Sequence, residues 1–164
     1  MIESEKEIIL NSIEEAVRHV ICEIEIFRII ALYGELGAGK TYFVRKTMEA
    51  MGLPTFMVSS PTFTICNVYS PNIVHIDCYR IKNEDELIEG GLLDYFSSDY
   101  IVFIEWAEKI NRILSEYDFQ KVTIILDYEV PFNEKTFTQT NTSLIPQVSF
   151  NRKYLIKRHY ANRS

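Results

Sequence analysis

Three observations predict an α/β fold: a mostly parallel sheet flanked by helices, with antiparallel strands added at one side. Helical and strand-like segments alternate along the chain. A glycine-rich loop, Gly34-Glu35-Leu36-Gly37-Ala38-Gly39-Lys40-Thr41, stands between an apolar strand and a helix. Two further apolar runs, Ile101-Val102-Phe103-Ile104-Glu105 and Asn72-Ile73-Val74-His75-Ile76-Asp77, each end in a carboxylate.

The elements follow in order. Ser12-Ile13-Glu14-Glu15 has the form of a capping box. It opens a helix with Ile13, Ala16, Val17, Val20, Ile21 and Ile24 on one face. Phe27 to Tyr33 reads as a buried strand. After the loop, Phe43, Val44, Thr47, Met48 and Met51 recur at helical spacing, and Gly52-Leu53-Pro54 stops that helix. Residues 63–69 and 72–77 read as a hairpin around Ser70-Pro71-Asn72. Glu84–Glu89 is a helical turn ended by Gly90-Gly91. Tyr100 to Ile104 is a strand, Trp106, Ile110, Ile113 and Leu114 mark a helix, and Lys121 to Leu126 is a further buried strand. Beyond Pro131 the pattern weakens, with Thr136–Thr142 and Lys153–Lys157 as possible strands. We therefore expect one domain over residues 1–134. Residues 135–164 are expected to be basic strands or a tail, packed on that domain or extending from it.

The glycine loop fits G-x-x-x-x-G-K-[ST], which makes the fold P-loop NTPase-like. Its glycines let consecutive N–H groups face a polyphosphate, and the helix N-terminus adds unpaired N–H groups and partial positive charge. Lys40 can reach the β- and γ-phosphates, and the Thr41 hydroxyl can ligate Mg²⁺. Phosphoryl chemistry also needs an acid that holds metal or orients a nucleophile. Glu105 and Asp77 are the two acids in position, because open α/β sheets bind ligands at the C-terminal ends of their strands. Ser60, Thr62 and Thr64, in Ser59-Ser60-Pro61-Thr62-Phe63-Thr64, form a hydroxyl-rich segment able to sense a γ-phosphate as a switch. His75, lone within a strand, reads as packed or surface, and Trp106 as packing over the sheet end in preference to touching nucleotide or a partner.

The chain has 164 residues, 47% of them hydrophobic, with no apolar run near the roughly 20 residues of a membrane span. Its acidic first residues lack the cationic start of a secretion signal. Cys22, Cys66 and Cys78 lack C-x-x-C spacing and read as reduced thiols of a cytoplasmic protein without membrane contact. The net charge of −6 is uneven: residues 1–134 hold 11 basic and 23 acidic residues, whereas residues 135–164 hold 6 basic and no acidic ones. Such a basic end suits either a solvated strand or tail, or a surface that meets an acidic partner or RNA.

G-E-L-G-A-G-K-T, S-P-T-F-T, H-I-D-C-Y-R and I-E-W-A-E, in this order, resemble the TsaE (YjeE) family over about residues 10–128. These are the small ATPases of the bacterial machinery that forms N6-threonylcarbamoyladenosine at position 37 of tRNA. The resemblance implies Mg²⁺-dependent ATP binding and hydrolysis, weak alone and dependent on partners. Those partners would be the TsaD–TsaB pair, with tRNA contacted indirectly and the protein a monomer or weak oligomer when alone. Its ATP cycle would reset the complex rather than make the carbamoyl bond. Thr41 and Glu105 would bind Mg²⁺, Asp77 would be the acid needed for hydrolysis, and Lys40 would act with them. Residues Glu35, Leu36, Gly37, Ala38, Gly39, Lys40, Thr41 and Tyr42 would hold ATP or ADP, and Ser12 is the counterpart of a polar nucleotide contact near the first helix. The chain departs from the family at Glu35, often Asp, and at Tyr42, usually small. Where an arginine-bearing strand is expected after Asp127-Tyr128, Lys135 is the nearest cation. Two alternatives remain open: a small-molecule P-loop kinase, for which no arginine-rich lid is visible, and a nucleotide-dependent binding module without significant turnover.

Overall fold

The computed structural model describes residues 7–55, 58–61, 64–69, 72–96, 99–129 and 149–161. Seven strands form one sheet: β1 (Ile8–Leu10), β2 (Ile29–Tyr33), β3 (Cys66–Tyr69), β4 (Ile73–Asp77), β5 (Ile101–Glu105), β6 (Phe119–Glu129) and β7 (Ser149–His159). Their order is β1-β7-β6-β2-β5-β4-β3. The four central strands, β6, β2, β5 and β4, run parallel, while β3, β7 and β1 add antiparallel pairings. Antiparallel strands thus stand at both edges of the sheet, where the sequence suggested one side.

Alternation within the strands decides what packs where. Ile30 and Leu32 of β2, Phe103 of β5, Val122 and Ile124 of β6, and Tyr154 and Ile156 of β7 face α1 (Ile13–Cys22) and α2 (Lys40–Ala50). Ile29 and Ala31, Val74 and Ile76, and Val102 and Ile104 point to the other face, against α3 (Asp85–Glu89) and α4 (Asn111–Leu114). Both faces of the central strands are covered, which is why β2 and β5 read as apolar runs and β4 as one interrupted only by His75. Gln120 is fully buried and its side-chain amide donates to the Val20 carbonyl at 3.0 Å, tying β6 to α1.

Several expected elements change at their ends. The helix expected from Trp106 is a 3₁₀ turn over Ala107–Ile110 followed by the short α4. Trp106 itself has φ 56°, so the chain turns sharply as it leaves β5. Strand β3 starts at Cys66 rather than residue 63, because Ile65 has φ 66° and its N–H turns back to the Pro61 carbonyl. Strand β6 runs from 119 to 129, longer than its apolar stretch, because β7 pairs with it over its whole length. The possible strand at 153–157 is the middle of β7, and the one at 136–142 lies outside the described residues. No helix among the described residues is long and apolar enough to cross a membrane.

Candidate functional site

The loop 34–41 leaves β2 at the centre of the sheet and feeds directly into α2. Gly39 caps α2 with φ 106°, a conformation that L side chains rarely adopt. Gly34 is held differently: a Cβ there would lie 2.6 Å from the Ile124 carbonyl oxygen, inside contact distance. These two constraints explain two of the four fixed letters of the motif.

Lys40 is buried, and its Nζ donates to the carbonyls of Gly34 at 2.7 Å and Glu35 at 3.0 Å. The ammonium also sits 3.7 Å from the centre of the Trp106 ring. Burial lowers the Lys40 pKa, and the nearby carboxylates of Glu105, Glu108 and Asp77 push back the other way. The side chain is therefore a desolvated cation held at the loop mouth by its own backbone and one aromatic face.

The two strand-end acids stand side by side. Asp77 of β4 and Glu105 of β5 are direct register partners. Asp77 is nearly buried, accepts from the Tyr79 N–H at 2.8 Å through Oδ1, and from the Ser60 hydroxyl through Oδ2. Glu105 accepts from the Thr41 hydroxyl at 2.7 Å and contacts His75 Nε2 at 2.8 Å, both through Oε1. Cys78, next to Asp77, is a buried thiol whose pKa burial pushes up, so it is a poor nucleophile.

These groups line one cleft of about 490 Å³, which takes in Leu36, Gly37, Gly39, Lys40, Thr41, Tyr42, Arg45, Ser60, Asp77, Tyr79, Glu105 and Trp106. Glu35 and Ala38 contribute backbone: the Glu35 carbonyl holds Lys40, and the Ala38 carbonyl accepts from Arg152. Ser12 is the N-cap of α1, accepting from the Glu15 N–H at 3.2 Å, and does not line the cleft. Thr64, in the turn before β3, donates to Asn67 of that strand and also stays off the cleft wall. Thr62 and Lys135 lie outside the described residues. Trp106 packs partly against the core, and its ring is also a wall of the cleft under Lys40, so neither of its two expected placements excludes the other.

Arg152 was not foreseen. Its Nε donates to the Ala38 carbonyl at 2.9 Å, reaching into the loop from β7. It lies 3.4 Å from where a Cβ on Gly39 would stand. The signal available was the alternation Arg152-Lys153-Tyr154-Leu155-Ile156-Lys157, in which Tyr154 and Ile156 are the buried residues. That pattern marks a strand, yet nothing local says which neighbour it joins.

Two oxygen donors here could hold a metal ion. Among the described residues no cluster of three or more His, Cys, Asp and Glu side chains is arranged to hold an ion. Thr41 and Glu105 instead offer a hydroxyl and one carboxylate, the sparse oxygen set by which Mg²⁺ is held together with substrate phosphates.

Residues 6–135 match the family described as "Threonylcarbamoyl adenosine biosynthesis protein TsaE". The tRNA threonylcarbamoyladenosine biosynthesis protein TsaE of Haemophilus influenzae is 38% identical over 117 residues, 69% of this chain and 72% of that one. Its Bacillus subtilis namesake is 38% identical over 97 residues, 57% and 60% of the two chains. The crystal structure of Bacillus subtilis YdiB has the same fold, with a TM-score of 0.58 at 20% identity over 98% of this chain and 88% of that one. With its glycine loop, its two paired acids and this match over most of its length, the chain belongs to the TsaE family of threonylcarbamoyladenosine biosynthesis proteins.

Proposed function

We propose that the cleft binds Mg²⁺·ATP and hydrolyses it, within a complex that modifies tRNA. One observation carries this reading: Asp77 and Glu105, paired across β4 and β5, meet Lys40 and Thr41 at the mouth of the glycine loop. Each side chain then has a role set by its surroundings. Lys40 neutralises charge on the phosphoryl oxygens; as a cation already stripped of water, it has little hydration left to lose there. Thr41 and Glu105 would hold a Mg²⁺ ion, which when bound would offset charge on the phosphates. Asp77 orients the attacking water and takes up its proton. The Ser60 hydroxyl, bonded to Asp77, couples the 60–64 segment to the state of that acid. ADP left after hydrolysis lacks the group that would hold the segment, and its release resets the assembly.

The partners in this reading are homologues of TsaD and TsaB, which carry out the transfer to tRNA, and tRNA is contacted through them. A site completed at that interface turns over slowly alone and faster in the complex. The test is phosphate release from ATP by the protein alone, with small hydroxyl acceptors, and with the two partners. Slow release that partners accelerate, with all phosphate inorganic, supports the reading. Phosphate on an organic acceptor makes the protein a kinase, and no release even with partners makes it a nucleotide-dependent binding module.

A further inference from the structure

We propose that His75 is a positioning residue for the metal-binding carboxylate, an inference that rests on the Mg²⁺-nucleotide reading of the cleft. His75 is fully buried in the middle of β4, where its neighbours Ile73, Val74 and Ile76 are apolar. An aliphatic residue would fill that place without a polar atom to satisfy. Instead Nε2 lies 2.8 Å from Glu105 Oε1, while Nδ1 is buried without a hydrogen-bond partner among the described residues. A buried polar atom left unpaired is costly and calls for a compensating role.

The pairing fixes which nitrogen donates. Glu105 is the one hydrogen-bond partner of the ring among the described residues, and a carboxylate only accepts. A proton therefore sits on Nε2, which donates to Glu105 Oε1. Oε1 then accepts from both the imidazole and the Thr41 hydroxyl. Oε2 receives no hydrogen bond among the described residues. Two donors arriving from β4 and α2 pin one carboxylate oxygen, and the other remains available to a cation. Histidines and carboxylates that orient a metal ligand in this way govern metal affinity without touching the metal.

Two measurements test this. The ratio of ADP dissociation constants in MgCl₂ and in EDTA, read by calorimetry, is compared among wild type, His75→Phe and His75→Gln. The phenyl ring keeps the bulk and loses the donor, whereas the glutamine amide restores an N–H. Removing an outer ligand partner weakens metal binding by about 10–100-fold. His75→Phe should lose that much of the Mg²⁺-dependent gain while its affinity in EDTA stays within about twofold, and His75→Gln should recover most of it. An unchanged gain in His75→Phe, equal losses with and without Mg²⁺, or no recovery in a folded His75→Gln overturns the positioning role alone. A wild type whose ADP affinity ignores Mg²⁺ overturns the metal site and the positioning role together. Nitrogen-15 spectra of the wild-type imidazoles supply the second measurement, independent of ligand and of variant folding. A proton on Nε2 of His75 is expected, and an Nε2 without a proton contradicts the geometry.

Discussion

The parallel centre of the sheet and its β6–β7 edge make opposite kinds of contribution to the same cleft. In the centre, each side chain proposed to act stands on or just beyond a strand whose own sequence announces it: Lys40 and Thr41 at the start of α2, beyond β2, Asp77 as the last residue of β4, Glu105 as the last of β5. At the edge, Arg152 reaches the loop only because β7 pairs with β6 across Leu126–Arg152. In the proposed function the centre would supply chemistry through local motifs. The edge supplies shape through register between segments far apart in the chain.

Deleting residues 149–164 tests that division most severely. Strand β7 lies between β1 and β6, and its Tyr154 and Ile156 are buried in the α1–α2 core. Each such side chain is worth about 1.5–3 kcal/mol, a large part of a total of about 5–15 kcal/mol. The truncated chain should lose cooperative thermal unfolding. A truncated protein that melts cooperatively and still binds ADP would mean that the edge is dispensable.

Asp77→Asn addresses the centre. The substitution keeps the shape and removes the negative charge, so turnover should fall by about 10²–10⁴-fold with nucleotide affinity within a few-fold. Equal losses in turnover and binding would mean that Asp77 and Glu105 have exchanged roles. Arg152→Ala joins the two regions. Loss of the hydrogen bond to Ala38 should cost roughly 0.5–1.5 kcal/mol of stability, seen as a lower melting temperature, and slacken the loop so that ADP affinity falls several-fold. Unaltered affinity would leave Arg152 as a purely structural tie.

The smallest effect belongs to Glu23, at the end of α1, which pairs with Arg158 of β7. The Arg158 guanidinium holds the Glu23 carboxyl below its ordinary value of 4.5, with partial burial working against it. A depressed folded pKa gives stability that is present above the unfolded value and lost as pH falls through the folded one. Glu23→Gln should therefore cost about 0.2–1 kcal/mol at neutral pH and nothing once the pH lies well below 4.5. Denaturant titrations at the two pH values check this, and a cost that persists in acid would assign the effect to packing.

What the sequence made legible follows the same boundary. Strands β2, β4 and β5 are buried on both faces, so their apolar runs and terminal acids stand out without knowledge of their neighbours. Strand β1 has only three residues, too few for a period to show. Strand β7 alternates visibly, but its partner and its reach to the loop depend on pairing that no local spacing encodes. The pairing of His75 with Glu105 was hidden for a related reason. It needs β4 and β5 in direct register, and a lone histidine in a strand gives no sign of what lies beside it.

The most direct test is a crystal structure of the protein with ADP and Mg²⁺. We expect the β-phosphate within hydrogen-bonding distance of Lys40 and the N–H groups of the glycine loop, and the cation touching the Thr41 hydroxyl and Glu105. A nucleotide bound elsewhere, or a cation distant from both side chains, would contradict the account.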